Sequence, residues 1–307
     1  MIKLSARPTR RTVLGGFAAA AGTSLLAACQ RELPAAPQSP AGSPATLRVV
    51  TLDPFSTHNL LDFGLSPVGA QEGLDQAVFP EHRETYAGLP KIGSYFEPDF
   101  EAIAALNPEL ILASSGQAEF RDRLAALAPT TLITAESSST WPKAAEEVAA
   151  ATGRQAEHDR LRTAYLERCE EIKARHGYAL GRHTWAVAWL ATAEGFSVRP
   201  TESNGAQVLA LAGVRFGRLT EQNDTGKDIV LSWEEADRIA DADVICLPGR
   251  TDGSKDPTTE LALDQAAFQA LPAVRAGRVA IFNHITPGSY RNATALADEL
   301  DTYLTSL

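Results

Sequence analysis

Aromatic rings and arginines recur in this chain just after short apolar runs. Phe55 and His58 follow Leu47–Leu52, Ser115 and Gln117 follow Leu110–Ala113, and Trp189 closes Trp185–Leu190. Arg250 follows Val244–Leu247, and Tyr290 and Arg291 follow Val279–Phe282. Tyr95 stands in the loop before Glu97-Pro98, and Arg199 follows the hairpin-like Glu194–Val198. Rings offer flat apolar area with a polar handle, and a guanidinium fork matches carboxylate or hydroxamate oxygens. Phe55, Tyr95, Ser115, Gln117, Trp189, Arg199, Arg250 and Tyr290 are therefore the candidate ligand contacts. Trp185 and Trp189 share one face of their run, so at least one belongs to the core.

Catalysis and bare-metal binding fit these residues less well. Gly195-Phe196-Ser197-Val198-Arg199 lacks the last glycine of a nucleophile elbow. Gly249-Arg250-Thr251-Asp252-Gly253-Ser254-Lys255 has the wrong order and spacing for a phosphate loop. A zinc or manganese site needs several His and carboxylate ligands converging on one ion. His58, His82 and His284 show no close ligand spacing, and His58 is expected on a helix surface. Binding without chemistry, and without a protein-held metal, is the reading.

The apolar runs read as strands, and amphipathic stretches separate them. Helices are expected over 56–63, 98–106, 121–128, 206–212 and 233–240. Strands are expected at 47–52, 67–70, 110–113, 131–133, 185–190, 244–247 and 279–282. Strands alternating with helices predict parallel sheet with helices on both faces. One segment, 141–177, carries only helical pattern. Its charged half, Arg154–Arg175, holds neither Pro nor Gly. A helix of about 20 residues spans about 30 Å, the width of a small domain. The expected organisation is α/β lobes over 46–140 and 181–307, bridged by helix over 141–180, with little bending between them.

The N-terminus carries an address. Thr9-Arg10-Arg11 precedes an uncharged Ala/Gly-rich run that ends in Leu26-Ala27-Ala28-Cys29. A charged start, a short apolar stretch and small residues before a cut site read as a signal peptide over 1–28, with a twin-arginine character. Residues 29–45, rich in Pro, Ala and Ser, read as a flexible spacer. Loss of the four cations in the signal takes the formal charge from −10 to −14. So acidic a body argues against nucleic acid and against electrostatic adhesion to anionic lipid. Of the three cysteines, Cys169 and Cys246 read as small core hydrophobes, although an oxidising compartment would permit them to pair.

Three N-terminal phrases, Leu89-Pro90-Lys91-Ile92-Gly93, Glu97-Pro98-Asp99-Phe100-Glu101-Ala102-Ile103 and Leu106-Asn107-Pro108-Glu109-Leu110-Ile111, run in a fixed order. Leu209–Gly213, Ser232-Trp233-Glu234 and Leu271–Val279 follow in the second half. Together they resemble the periplasmic binding proteins of ABC importers for ferric siderophores, haem and vitamin B12, over nearly all of 46–307. Ala27-Ala28-Cys29 is similar to a lipobox, which implies lipidation of Cys29. The resemblance implies the class III fold, two Rossmann-like lobes joined by a single long backbone helix, with ligand held in the cleft. It implies a monomeric, lipid-anchored receptor on the extracytoplasmic face, with no cofactor of its own and iron present only inside a bound chelate. A ferric siderophore is the expected ligand, with haem or a cobalamin as alternatives. ABC permease subunits are the implied partners, and Glu119 and Glu202 the acids that would face permease arginines. The match at Glu202 is loose, since Gln207 holds the more helical equivalent. Tyr95 falls where relatives place an aromatic or arginine contact.

Overall fold

The computed structural model describes residues 47–75, 77–134 and 138–307. The signal segment, Cys29 and the spacer lie outside them. Strands β1 (Val49–Thr51), β2 (Gly69–Ala70), β3 (Leu110–Ser114) and β4 (Thr130–Ile133) form a parallel sheet in the order β2-β1-β3-β4. Every residue of β1 and β3 is buried, because helices cover both faces. Alternate residues serve opposite cores: Val49 and Leu112 pack with Leu60 and Val148, while Val50 and Ile111 pack with Ile103 and Leu124.

Local chemistry sets the boundaries. Asp53 caps the helix Pro54–Asp62 by accepting from the Ser56 amide at 2.9 Å, with Pro at the first turn where no amide is needed. The next expected helix begins later than Pro98. Asp99 is its cap, accepting from the amides of Glu101 and Ala102, and the helix runs Phe100–Ala105. Pro98 instead pairs with Gly93 in an antiparallel bridge.

The second lobe is a mixed sheet, not the purely parallel one expected. β5 (Thr184–Trp189), β9 (Val244–Pro248) and β10 (Val279–Phe282) run parallel, but β6 (Gly195–Val198) is antiparallel to both β5 and β8 (Ile229–Ser232). The first half of β5 also pairs with the short β7 (Arg215–Phe216), at Thr184 and Trp185. Strand β7 is only two residues long, and β8, although Ile229-Val230-Leu231 is apolar, lies at the sheet edge with Val230 78% exposed.

The bridge is two helices, Trp141–Thr152 and Gln155–Arg182, separated by Gly153 in the left-handed conformation. At 28 residues the second spans about 42 Å and extends past the Pro- and Gly-free stretch. It kinks at His176 (φ −109°, ψ 16°), one residue before Gly177. The kink is pinned to the C-terminal helix Tyr290–Ser306 through Asp301, which pairs with His176 at 2.6 Å and with Arg168 and Arg175 at 2.6 and 2.8 Å. Burial opposes ionisation of Asp301, but hydrogen bonds from Arg168 and His176 bring its carboxyl down to about 2. Cys169 and Cys246 are buried free thiols.

Candidate functional site

Carboxyl ends of second-lobe strands meet two residues of the first lobe around a cavity of about 260 Å³. From the second lobe come Trp189, ending β5, then Pro248, ending β9, with Gly249 and Arg250 after it, and Asn283, His284, Ile285 and Thr286 after β10. The first lobe contributes His58, on the helix after β1, and Ala77. This is where open parallel sheets gather ligands. The backbone turns sharply at Leu190 (φ 44°), a left-handed position without glycine, so β5 stops at Trp189 and the chain doubles back into β6. Gly249 sits close to Asn283: a Cβ there would lie 2.3 Å from the Asn283 side-chain oxygen and would displace that side chain.

Behind the Trp189 ring sits Arg199, with its guanidinium 5.1 Å from the ring centroid and its Nε 3.3 Å from Asp228. Burial lowers the Arg199 pKa and Asp228 opposes that shift. Arg199 therefore backs the aromatic wall and does not face the cavity. Arg250 is half-exposed at the mouth, 3.9 Å from Asp256. Trp185, four residues before Trp189, is fully buried against Phe282 and Tyr303, so only the second tryptophan of the pair reaches the cleft.

An arm of the first lobe between β2 and β3 reaches across to the second. Arg83 donates to the Thr251 hydroxyl at 2.7 Å, and Glu81 accepts from Arg291 at 2.9 Å. Asp62, with its side chain only 1% exposed, pairs with His82 at 2.8 Å and Arg291 at 3.1 Å and accepts from the Ser289 hydroxyl. Asn59 donates to the Gly288 carbonyl at 3.1 Å.

The turn 94–97 of the first lobe carries Tyr95 and lies outside the lining of this cavity. Gly93 (φ 88°) permits it: a Cβ there would sit 2.3 Å from the Glu97 carbonyl oxygen. Tyr95 is half-buried, and its hydroxyl donates to Ser114 at 2.9 Å at the end of β3. Phe96 beside it is 79% exposed, the more available ring. Ser115 is half-buried at the same sheet edge.

Two residues of the predicted contact set are committed to the fold. Gln117 is buried, its oxygen accepting from the Ser114 amide at 2.9 Å and its nitrogen donating to the Tyr95 carbonyl at 2.7 Å. It shapes the Tyr95 turn and, at 1% exposed, is held away from the surface. Tyr290 is not in a loop; it is the first residue of the C-terminal helix, buried among Trp141, His158 and Tyr165. The sequence held the signal for that helix: Ser289 as cap, then Ala293, Leu296, Ala297, Leu300 and Leu304 at helical spacing. Phe55 is half-buried and packs against the cores of both lobes. Glu119 and Glu202 are both exposed. Glu202 borders a larger recess of about 630 Å³ walled by helices, with Trp141, Arg162, Tyr165 and Gln207.

His58 is not on the helix surface, where sequence placed it. It is 8% exposed, and neither ring nitrogen has a hydrogen-bond partner among the described residues. Burial drives its pKa down to about 4, with Asp62 pulling the other way. Asp53, at the start of the same helix, is pushed up to about 6 by burial despite its hydrogen bonds from Ser56. Among the described residues no group of three or more His, Cys, Asp and Glu side chains could hold a metal ion, and no helix is long and apolar enough to cross a membrane.

The family model described as Periplasmic binding protein matches residues 49–284. The solved siderophore periplasmic binding protein from the fuscachelin gene cluster of Thermobifida fusca superposes with a TM-score of 0.76 at 27% identity, over 86% of this chain and 98% of that one. A Bacillus subtilis protein named as an ABC transporter substrate-binding lipoprotein, YhfQ, is 25% identical over 269 residues, 82% of each chain. The Fe³⁺-Desferal-bound siderophore-binding protein FhuD of Vibrio cholerae shares the fold, with a TM-score of 0.71 at 21% identity over 85% of this chain and 98% of its own.

Proposed function

The chain belongs to the periplasmic binding protein family, whose members bind substrates and are not enzymes, and we propose that this one captures a ferric siderophore and delivers it to an ABC permease. The observation that carries the reading is the cavity between the strand ends of the second lobe and His58 and Ala77 of the first, with Trp189 and Arg250 on its wall. A ring and a guanidinium suit the apolar face and the oxygens of a chelate. Iron would arrive already coordinated, so the receptor needs no metal ligand of its own.

The contacts we propose are Trp189 and Arg250 on one side and Tyr95 and Ser115 on the other. Phe55, Gln117, Arg199 and Tyr290 would support them from behind. Glu119 and Glu202, being exposed, are proposed as the acids presented to the permease. Anchoring through a lipidated Cys29 at the extracytoplasmic face completes the proposal, and Gln30–Ala45 would serve as the spacer.

Tryptophan fluorescence tests the reading. Of the four tryptophans, Trp141, Trp185 and Trp233 are at most 8% exposed, which leaves Trp189 as the reporter lining the cavity. Saturable quenching by ferric siderophores is expected, with Trp189→Phe reducing its amplitude. Quenching by Zn²⁺ or Mn²⁺ and by no chelate would refute it. Saturation by haem or cobalamin alone would reassign the ligand within the fold.

A further inference from the structure

The inner cleft narrows the class of chelate, an inference that rests on the siderophore reading above. His58 lines the cavity with both ring nitrogens unpartnered among the described residues. Its lowered pKa makes the ring neutral at neutral pH, so it offers one donor and one acceptor. An unsatisfied buried polar group costs stability, and a ligand that pairs with it recovers that cost on binding. Backbone at Gly288 closes behind the ring: a Cβ there would come within 2.8 Å of Nδ1. Of the other polar residues lining the cavity, Thr251, Asn283, Thr286 and Asn292 are uncharged, and Arg250, Asp256 and His284 complete the set.

The cations nearby are balanced. Arg250 has Asp256 at 3.9 Å, and Asp252 lies close enough to Arg250 and Arg83 to be favoured by both charges, in addition to its hydrogen bonds from Ser254. Arg291 is taken up by Asp62 and Glu81, and His284 pairs with Glu299 at 3.0 Å. The arginines that sequence matched to an anionic ligand thus leave little positive charge uncompensated, in a protein with a formal charge of −10. Three singly charged hydroxamates cancel the charge of ferric iron, whereas three doubly charged catecholates leave a trianion. A trianion entering this cleft would lose hydration without gaining matching cations. A cavity of about 260 Å³ also falls below the roughly 300–1,000 Å³ that encloses a whole drug-sized ligand, so it suits one arm of a chelate.

We propose that the inner cleft receives an uncharged hydrogen-bonding arm of an electrically neutral ferric chelate, of the tris-hydroxamate class, and that His58 is the residue that recognises it. The full-length protein is titrated with ferrichrome, a neutral ferric tris-hydroxamate, and with ferric enterobactin, a tris-catecholate trianion, at low and high salt. Ferrichrome should bind about tenfold or more tighter, with little salt dependence. His58→Leu should weaken ferrichrome binding about tenfold while leaving the ligand-free unfolding midpoint unchanged or raised. His58→Gln, which keeps a donor and an acceptor, should retain more of the affinity than His58→Leu. Wild-type ferrichrome affinity in His58→Leu would overturn the role of His58. Tighter binding of enterobactin would overturn the neutral-chelate assignment while leaving the siderophore reading intact. If neither chelate binds and haem or cobalamin saturates, the siderophore reading itself falls.

Discussion

Replacing His58 by leucine separates two buried titrations that oppose each other in the intact protein. His58 has a folded-state pKa of about 4 against 6.5 unfolded, so between those values the unfolded chain binds the extra proton. Stability from this group therefore rises with pH across that window. At 1.36 kcal/mol per pKa unit, the rise is about 3 kcal/mol. Asp53 runs the other way. Its carboxyl titrates at about 6 folded and 3.8 unfolded, so the folded state holds the extra proton and stability falls by about 3 kcal/mol as pH rises through the window. The two contributions nearly cancel in the wild type. In His58→Leu only the Asp53 slope survives. Urea unfolding at pH 4, 5, 6 and 7 measures this, with both proteins compared at each pH so that titrating groups not coupled to His58 drop out. The stabilisation of His58→Leu over wild type should be about 3 kcal/mol larger at pH 4 than at pH 7. A difference that stays constant with pH would refute the argument, because it would mean that folding does not hold the imidazole neutral.

Arg291→Met removes one partner of the buried Asp62 and releases Glu81, so thermal unfolding should show a loss of about 1–3 kcal/mol; an unchanged midpoint would mean the lobe contact is not held there. Gln117→Ala breaks the cap at Ser114 and frees the Tyr95 turn, with an expected stability loss of about 1 kcal/mol and a smaller effect on ligand affinity than Arg250→Ala. Calorimetric titration of both variants decides between a supporting and a contacting role for Gln117. Cys29→Ser should yield a folded protein that no longer partitions with membranes after a salt wash. Glu119→Arg should leave ligand affinity unchanged and reduce uptake in cells, since it would set a cation against permease arginines.

Periodicity and punctuation made much of the fold legible. Apolar runs of four to six residues gave β1, β3, β5, β9 and β10 to within a few residues; β1, β3 and β9 are buried along their whole length, which favours apolar residues on both faces. The charged, strand-free stretch after Trp141 gave the bridge. What went unread had weak local signals. β7 and β8 are short or half-exposed edge elements, and their pairing to β5 and β6 depends on distant residues. The kink at His176 depends on Asp301, 125 residues away. The C-terminal helix carries a legible cap and apolar stripe, and they put Tyr290 in its first turn and not in the loop after β10.

Sequence alone determined which residues stand at strand ends, since that follows from local pattern, and the family resemblance carried by its ordered phrases. Only the tertiary structure decided which of those residues are free to meet a ligand. Gln117 and Tyr290 are spent on internal contacts, Arg199 stands behind Trp189, and the arginines at the cleft have acids beside them. His58, which read as an ordinary helix residue, emerged as a buried group without a partner among the described residues. Burial and pairing are sums over neighbours far apart in the chain, so no local pattern encodes them, and the charge state and availability of a site follow from those sums.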